Sequence, residues 1–161
     1  MNILRLIFCF AIAAALSQFP AFSDQYVQRL GGQVDALQKI ATEFDASAQR
    51  AGLSRDQALA DLSGSAFRDA HSQDMSRVFV RLHRAAKDLT LLRAASPLER
   101  IALPHRLRDT ETLQATWGDF RPAIPVTAAG LWAGGIGFLI GWVMTWLLGL
   151  AFRRNERLGW R

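Results

Sequence analysis

The chain holds one cysteine and three histidines, and that scarcity removes several kinds of chemistry at once. Cys9 alone builds no disulfide framework, and its place early in an apolar run, directly behind Leu6-Ile7-Phe8, does not make a lipoprotein site. There is no Cys-x-x-Cys-His haem signature, no phosphate-binding glycine loop and no nucleophile elbow. His71 and His83 lie about 120° apart around a helix, and His71 with Asp74 is a pair of the kind that sits on a solvated face. No catalytic residue, cofactor or metal is therefore expected. No arginine-rich patch with interleaved aromatics is present either, which excludes a nucleic-acid reading. The net charge of +5 comes mostly from Arg153, Arg154, Arg157 and Arg161, offset only by Glu156. Asp56, Asp61, Asp69 and Asp74 gather loosely with nothing to dry them. A two-helix hairpin has little interior in which to shift a carboxylate or enclose a small-molecule substrate.

What is present is apolar surface at both ends. The chain has 161 residues, half of them hydrophobic, and a mean hydropathy of +0.09. Residues 126–152 form an uncharged run that is roughly 40 Å long as a helix, against a hydrocarbon core of about 30 Å. Small residues recur along it at Ala129, Ala133, Gly137, Gly141, Thr145 and Gly149, with Gly130 and Gly134 beside them. Such a face lets another helix approach closely. Phe138, Trp142 and Trp146 form a bulky stripe next to it. The arginines that follow mark the far end as cytoplasmic, and Trp117 and Trp160 are expected to anchor opposite interfaces. Residues 3–19 are a second apolar segment with two readings. As a signal peptide they end at a small-x-small site, Ala21-Phe22-Ser23. As a retained helix, Arg5 snorkels to the cytoplasmic face, and Ala11, Ala14 and Ala15 meet the small stripe. Retention is preferred because the stripe needs a partner.

Between the apolar ends the periodicity is helical. Val27, Leu30, Val34, Leu37, Ala41, Phe44 and Ala48 recur at alternating steps of three and four, a heptad seam over residues 24–51 that Gly31 and Gly32 weaken. Ser54 with Gln57 opens a short helix. A second long helix over residues 65–94 carries Phe67, Met75, Val78, Leu82, Ala85, Leu89 and Leu92 on one face. Ser96, Pro97 and Glu99 begin another helix, which Pro104 breaks; residues 110–117 form one more, and Thr127 caps the membrane helix. The pattern predicts an all-α protein. Residues 1–22 are an N-terminal transmembrane helix or signal anchor, 23–125 an extracytoplasmic antiparallel helical hairpin with short connecting helices, 126–152 a C-terminal transmembrane helix, and 153–161 a basic cytoplasmic tail.

Three stretches carry a resemblance: Gln18-Phe19-Pro20, then Asp24-Gln25-Tyr26-Val27-Gln28-Arg29-Leu30, and Pro125-Val126-Thr127 before the glycine-patterned helix. In these the chain resembles a family of small proteobacterial membrane proteins catalogued only as a domain of unknown function. The resemblance implies two spans around a helical extracytoplasmic region and brings no activity. The expected location is the bacterial inner membrane, with both termini cytoplasmic and residues 23–125 periplasmic. The expected function is non-enzymatic: an accessory, assembly or stabilising subunit that docks onto a larger membrane complex through its striped helix and periplasmic helices. The expected partners are lipids and the helices of other membrane proteins, in a hetero-complex or a homo-oligomer. The alternatives are a self-associating envelope scaffold or sensor and, more remotely, a periplasmic enzyme.

Overall fold

The computed structural model describes residues 3–122, 124 and 126–156, with 150–156 as backbone only. Every regular element among them is helical. In chain order these are α1 (Ile3–Arg50), α2 (Arg55–Asp61), α3 (Ala66–Ala94), two 3-10 turns (Glu99–Ala102 and Pro104–Arg106), α4 (Thr110–Asp119) and α5 (Ala128–Glu156).

The first apolar segment and the first heptad stretch are one helix. α1 runs for 48 residues with Pro20 inside it. An interior proline deletes the bond to the carbonyl four residues back and costs about 3 kcal/mol. Here the residue is buried, and the Ser23 hydroxyl donates to the Pro20 carbonyl at 2.9 Å within the next turn. Packing of the turns on both sides holds the helix through the break. Its C-terminus is a Schellman motif. Gly52 takes φ +72°. Its N–H reaches the Gln49 carbonyl at 2.9 Å, and that of Leu53 reaches Ala48, also at 2.9 Å.

The chain divides into two compact units, one of residues 1–25, 95–104 and 117–161 and one of 26–94 and 105–116. In the second, Val27, Leu30, Leu37, Ala41 and Ala48 of α1 are buried, as are Met75, Ala85, Leu89 and Leu92 of α3. Each leucine so enclosed contributes roughly 2 kcal/mol. Phe44 meets Phe79 edge-on at 5.4 Å, and Gly31 lies beside the Arg93 guanidinium, so the contacts advance in opposite chain directions. Phe67 stays exposed, and the buried face of α3 starts at Met75. α2 is tied to α3 by the Ser72 hydroxyl, which donates to the Leu59 carbonyl at 2.8 Å. The cap signals act where expected. Ser54 and Gln57 make both bonds of a capping box. Ser96 and Glu99 do so too, yet they open only a 3-10 turn. Thr127 accepts from the Gly130 N–H at 3.1 Å at the start of α5.

Candidate functional site

In the first unit the small stripe of α5 lies on α1. A Cβ built at Gly137 would come 2.8 Å from the Ile12 carbonyl oxygen and 2.9 Å from the Ala13 Cα, and one at Gly141 would come 2.9 Å from the Cys9 Cα. At Gly134 the nearest atom, the Ser17 Cβ, is 3.4 Å away. Position 9 therefore meets 141, 13 meets 137 and 17 meets 134, the antiparallel register of a helix pair at backbone contact. Gly130 and Ala133 are buried, Ala129 and Thr145 half-buried, and Gly149 has nothing within 4 Å. The partner face is Cys9, Ile12, Ala13, Leu16 and Ser17. Ala11, Ala14 and Ala15, expected from size to fill that role, are exposed. The glycines supply the close approach, so the facing residues need not be small.

Arg5 is held by α5. Its Nε donates to Thr145 Oγ1 at 2.8 Å and its Nη2 to the Trp142 carbonyl at 3.1 Å, while the guanidinium lies 4.3 Å over the Trp142 ring. Phe138 packs edge-on against Phe10 at 5.4 Å, and Trp146 remains exposed. Trp117 is 74% exposed, with one edge on Phe22. Arg153 and Arg154 fall in the backbone of α5; Arg157, Trp160 and Arg161 lie outside the described residues. α1 and α5 each carry a stretch long and apolar enough to cross a membrane, and only 17% of each stretch is buried.

The second unit contains an arrangement that sequence reasoning missed. Residues 105–111 are latched to α3 by ion pairs and to α1 by a hydrogen bond. Asp88, its side chain 4% exposed, accepts from Arg106 at 3.1 Å and from Arg108 at 2.7 Å. Arg81 forks onto both Asp109 oxygens at 2.8 Å and reaches Glu111 at 2.7 Å. The Asp109 N–H donates to the buried Tyr26 hydroxyl at 3.2 Å, and Asp109 also caps α4 through Thr112. The Arg81 guanidinium holds the Asp109 carboxyl down to about 2. Burial pushes the Tyr26 phenol up to about 12. Only the density of charge at Arg106, Arg108 and Asp109, beside the apolar Leu103 and Leu107, hints at this in the sequence.

Above the latch lies an open groove of about 820 Å³ between α1 and α3, lined by Tyr26, Leu30, Leu37, Val78, Arg81, Arg84 and Asp109 among others. The expectation of little interior is thereby corrected, because residues 108–111 wall one end of the space between α1 and α3. The groove contains no histidine or cysteine, and Arg81 holds its Asp109 carboxyl well below the usual carboxylate range. A general acid or base needs a group that titrates near the working pH, which neither Asp109 nor Tyr26 does. Among the described residues no three metal-ligating side chains converge.

No curated protein and no solved structure matches the chain. A family model does match, over residues 1–157, and so takes in the glycine seam, Arg5 and the arginine latch together. The chain belongs to the family described as Protein of unknown function (DUF2937).

Proposed function

We propose that the protein is a two-span integral membrane protein that acts without catalysis, as an accessory or assembly subunit of a larger membrane complex. Both termini are cytoplasmic, and residues 23–125 are extracytoplasmic, with α1 and α3 forming an antiparallel hairpin there. The observation that carries this reading is the seating of Gly137 and Gly141 on α1. Two apolar helices that pair through glycine and leave their other faces bare behave as a membrane pair, whereas the core helix of a soluble protein is mostly buried. A small face spent inside the chain leaves partner contact to the bulky outer faces, such as Trp132, Leu139 and Trp146, and to the extracytoplasmic helices. Self-association through Gly137 and Gly141 is the weaker reading, since it must first separate α5 from α1.

Affinity purification in mild detergent at native expression level tests the proposal. The expected result is one membrane complex recovered in fixed ratio. A monodisperse protein with no co-purifying partner overturns it.

A further inference from the structure

Among the described residues no carboxylate neutralises the charge of Arg5. No aspartate or glutamate occurs in residues 1–23 or in 120–155. Along α1 the nearest is Asp24, about 28 Å away by helical rise, and along α5 the nearest is Glu156, about 16 Å beyond Thr145. The guanidinium is nevertheless fixed in place. Thr145 and the Trp142 carbonyl take one N–H each, and the indole covers one face. A guanidinium has five donors, and the remaining three have no partner among the described residues.

The position selects the ligand. This step rests on the two-span reading above. Arg5 is in the first turn of α1, and Thr145 stands eight residues, about 12 Å, before Arg153, where the uncharged run of α5 ends. Side chains of a helix lean toward its N-terminus, so Arg5 leans toward that same end of the pair. The free donors thus point toward the end of the pair where headgroup phosphates begin. A carboxylate from a partner helix would have to enter the membrane at roughly 3 kcal/mol, while a phosphate is already present. We propose that Arg5, fixed by Thr145 and Trp142, is a seat for the phosphate of one anionic phospholipid in the leaflet where both termini lie.

Native mass spectrometry of the full chain in a mild non-ionic detergent, titrated with phosphatidylglycerol, phosphatidylcholine and inorganic phosphate, tests it. The expected result is one phosphatidylglycerol held about tenfold more tightly than phosphatidylcholine, the size of a charge-assisted bond, and not displaced by millimolar phosphate. Arg5→Gln should abolish the preference and Arg5→Lys should retain about a third of it. A double R153Q/R154Q variant should retain all of it. The seat is overturned if the wild type shows no preference, or if Arg5→Gln keeps it. Loss in the tail variant alone, or displacement by inorganic phosphate, overturns it as well, in favour of diffuse attraction or a free-anion site. A co-purifying protein lost on Arg5→Gln, with no lipid preference, overturns it in favour of a partner carboxylate. Alkaline carbonate extraction of the native membranes separates the two readings. A protein released by carbonate takes the two-span reading down with the seat, and one that stays while showing no preference takes down the seat alone.

Discussion

A built Cβ comes to 2.8 Å from its nearest neighbour at both Gly31 and Gly137, yet the two glycines should respond to alanine with opposite sign. At Gly31 the neighbour is the Nη2 of Arg93, the mobile end of an exposed side chain. The guanidinium swings aside, and the helix interior gains about 1 kcal/mol of propensity. At Gly137 the neighbours are the carbonyl oxygen and Cα of α1 itself, so two helices must move apart. A loss of about 1–3 kcal/mol is expected, the usual cost of overpacking. Thermal unfolding of the detergent-solubilised chain followed by circular dichroism checks the pair, with Gly149→Ala, which meets nothing within 4 Å, as the control that reports helix propensity alone. Tyr26 offers a second test because it is the sole tyrosine. Its phenolate absorbance should rise near pH 12 rather than 10 in the folded protein. Since the folded value is the raised one, the stability this group adds is whole below pH 10 and is lost as the pH climbs toward 12. A titration midpoint near 10 in folded protein would show that the latch does not cover the ring.

Among the elements, the segment of residues 105–111 is the one whose stability depends most on charge. The folded value of Asp109 lies below its ordinary 3.8, at about 2, so its contribution is present above that ordinary value and is lost as the pH falls through the folded one. With the side chain 13% exposed, the effect is about 2 kcal/mol. Chemical denaturation of the full chain at pH 5 and at pH 2 should therefore differ more for the wild type than for Asp109→Asn. Equal differences would remove Asp109 from the latch. Asp88→Ala should cost about 2–3 kcal/mol, because Arg106 and Arg108 lose their carboxylate while keeping partial access to water. What the sequence made legible and what it hid divide at this scale. Helix ends were readable because their causes are local: Ser54 with Gln57, Gly52 after Ala51, and Thr127 before α5 each act within a few residues. The latch was not, because Arg81 with Asp109, Asp88 with Arg108 and Tyr26 with Asp109 join positions 20 or more residues apart. The same residues on an isolated helix read as an ordinary solvated face. Pro20 shows the reverse, since the local effect of an interior proline is a break and the packing of neighbouring turns overrides it.

For the molecule as a whole, the decisive question is whether residues 3–22 stay attached. The small-x-small sequence at Ala21, Phe22 and Ser23 is a cleavage signal by pattern, but it lies inside α1, and Ser23 is fully buried. Cutting there would sever a continuous helix and remove Cys9, Ile12, Ala13 and Leu16 from Gly137 and Gly141. It would also remove Arg5 from Thr145. The glycine seam would then face lipid, where it gains nothing, since lipid tails are as apolar as the leucines that could replace it. The intact mass of the membrane-extracted protein is therefore expected to include residues 3–22. A product beginning near Asp24 would sink the two-span reading, and the seam would then need a foreign helix. Orientation rests on the two-span proposal together with Arg153, Arg154, Arg157 and Arg161, which mark their side as cytoplasmic. Two spans leave the ends on one side, and an impermeant maleimide added to intact cells or spheroplasts should label Ala60→Cys on the exposed face of α2 while leaving Asn155→Cys untouched until the membrane is opened. Cys9 is buried against Gly141 and stays silent in both variants. Labelling of Asn155→Cys from outside would invert the topology and with it the leaflet in which Arg5 finds its counter-charge.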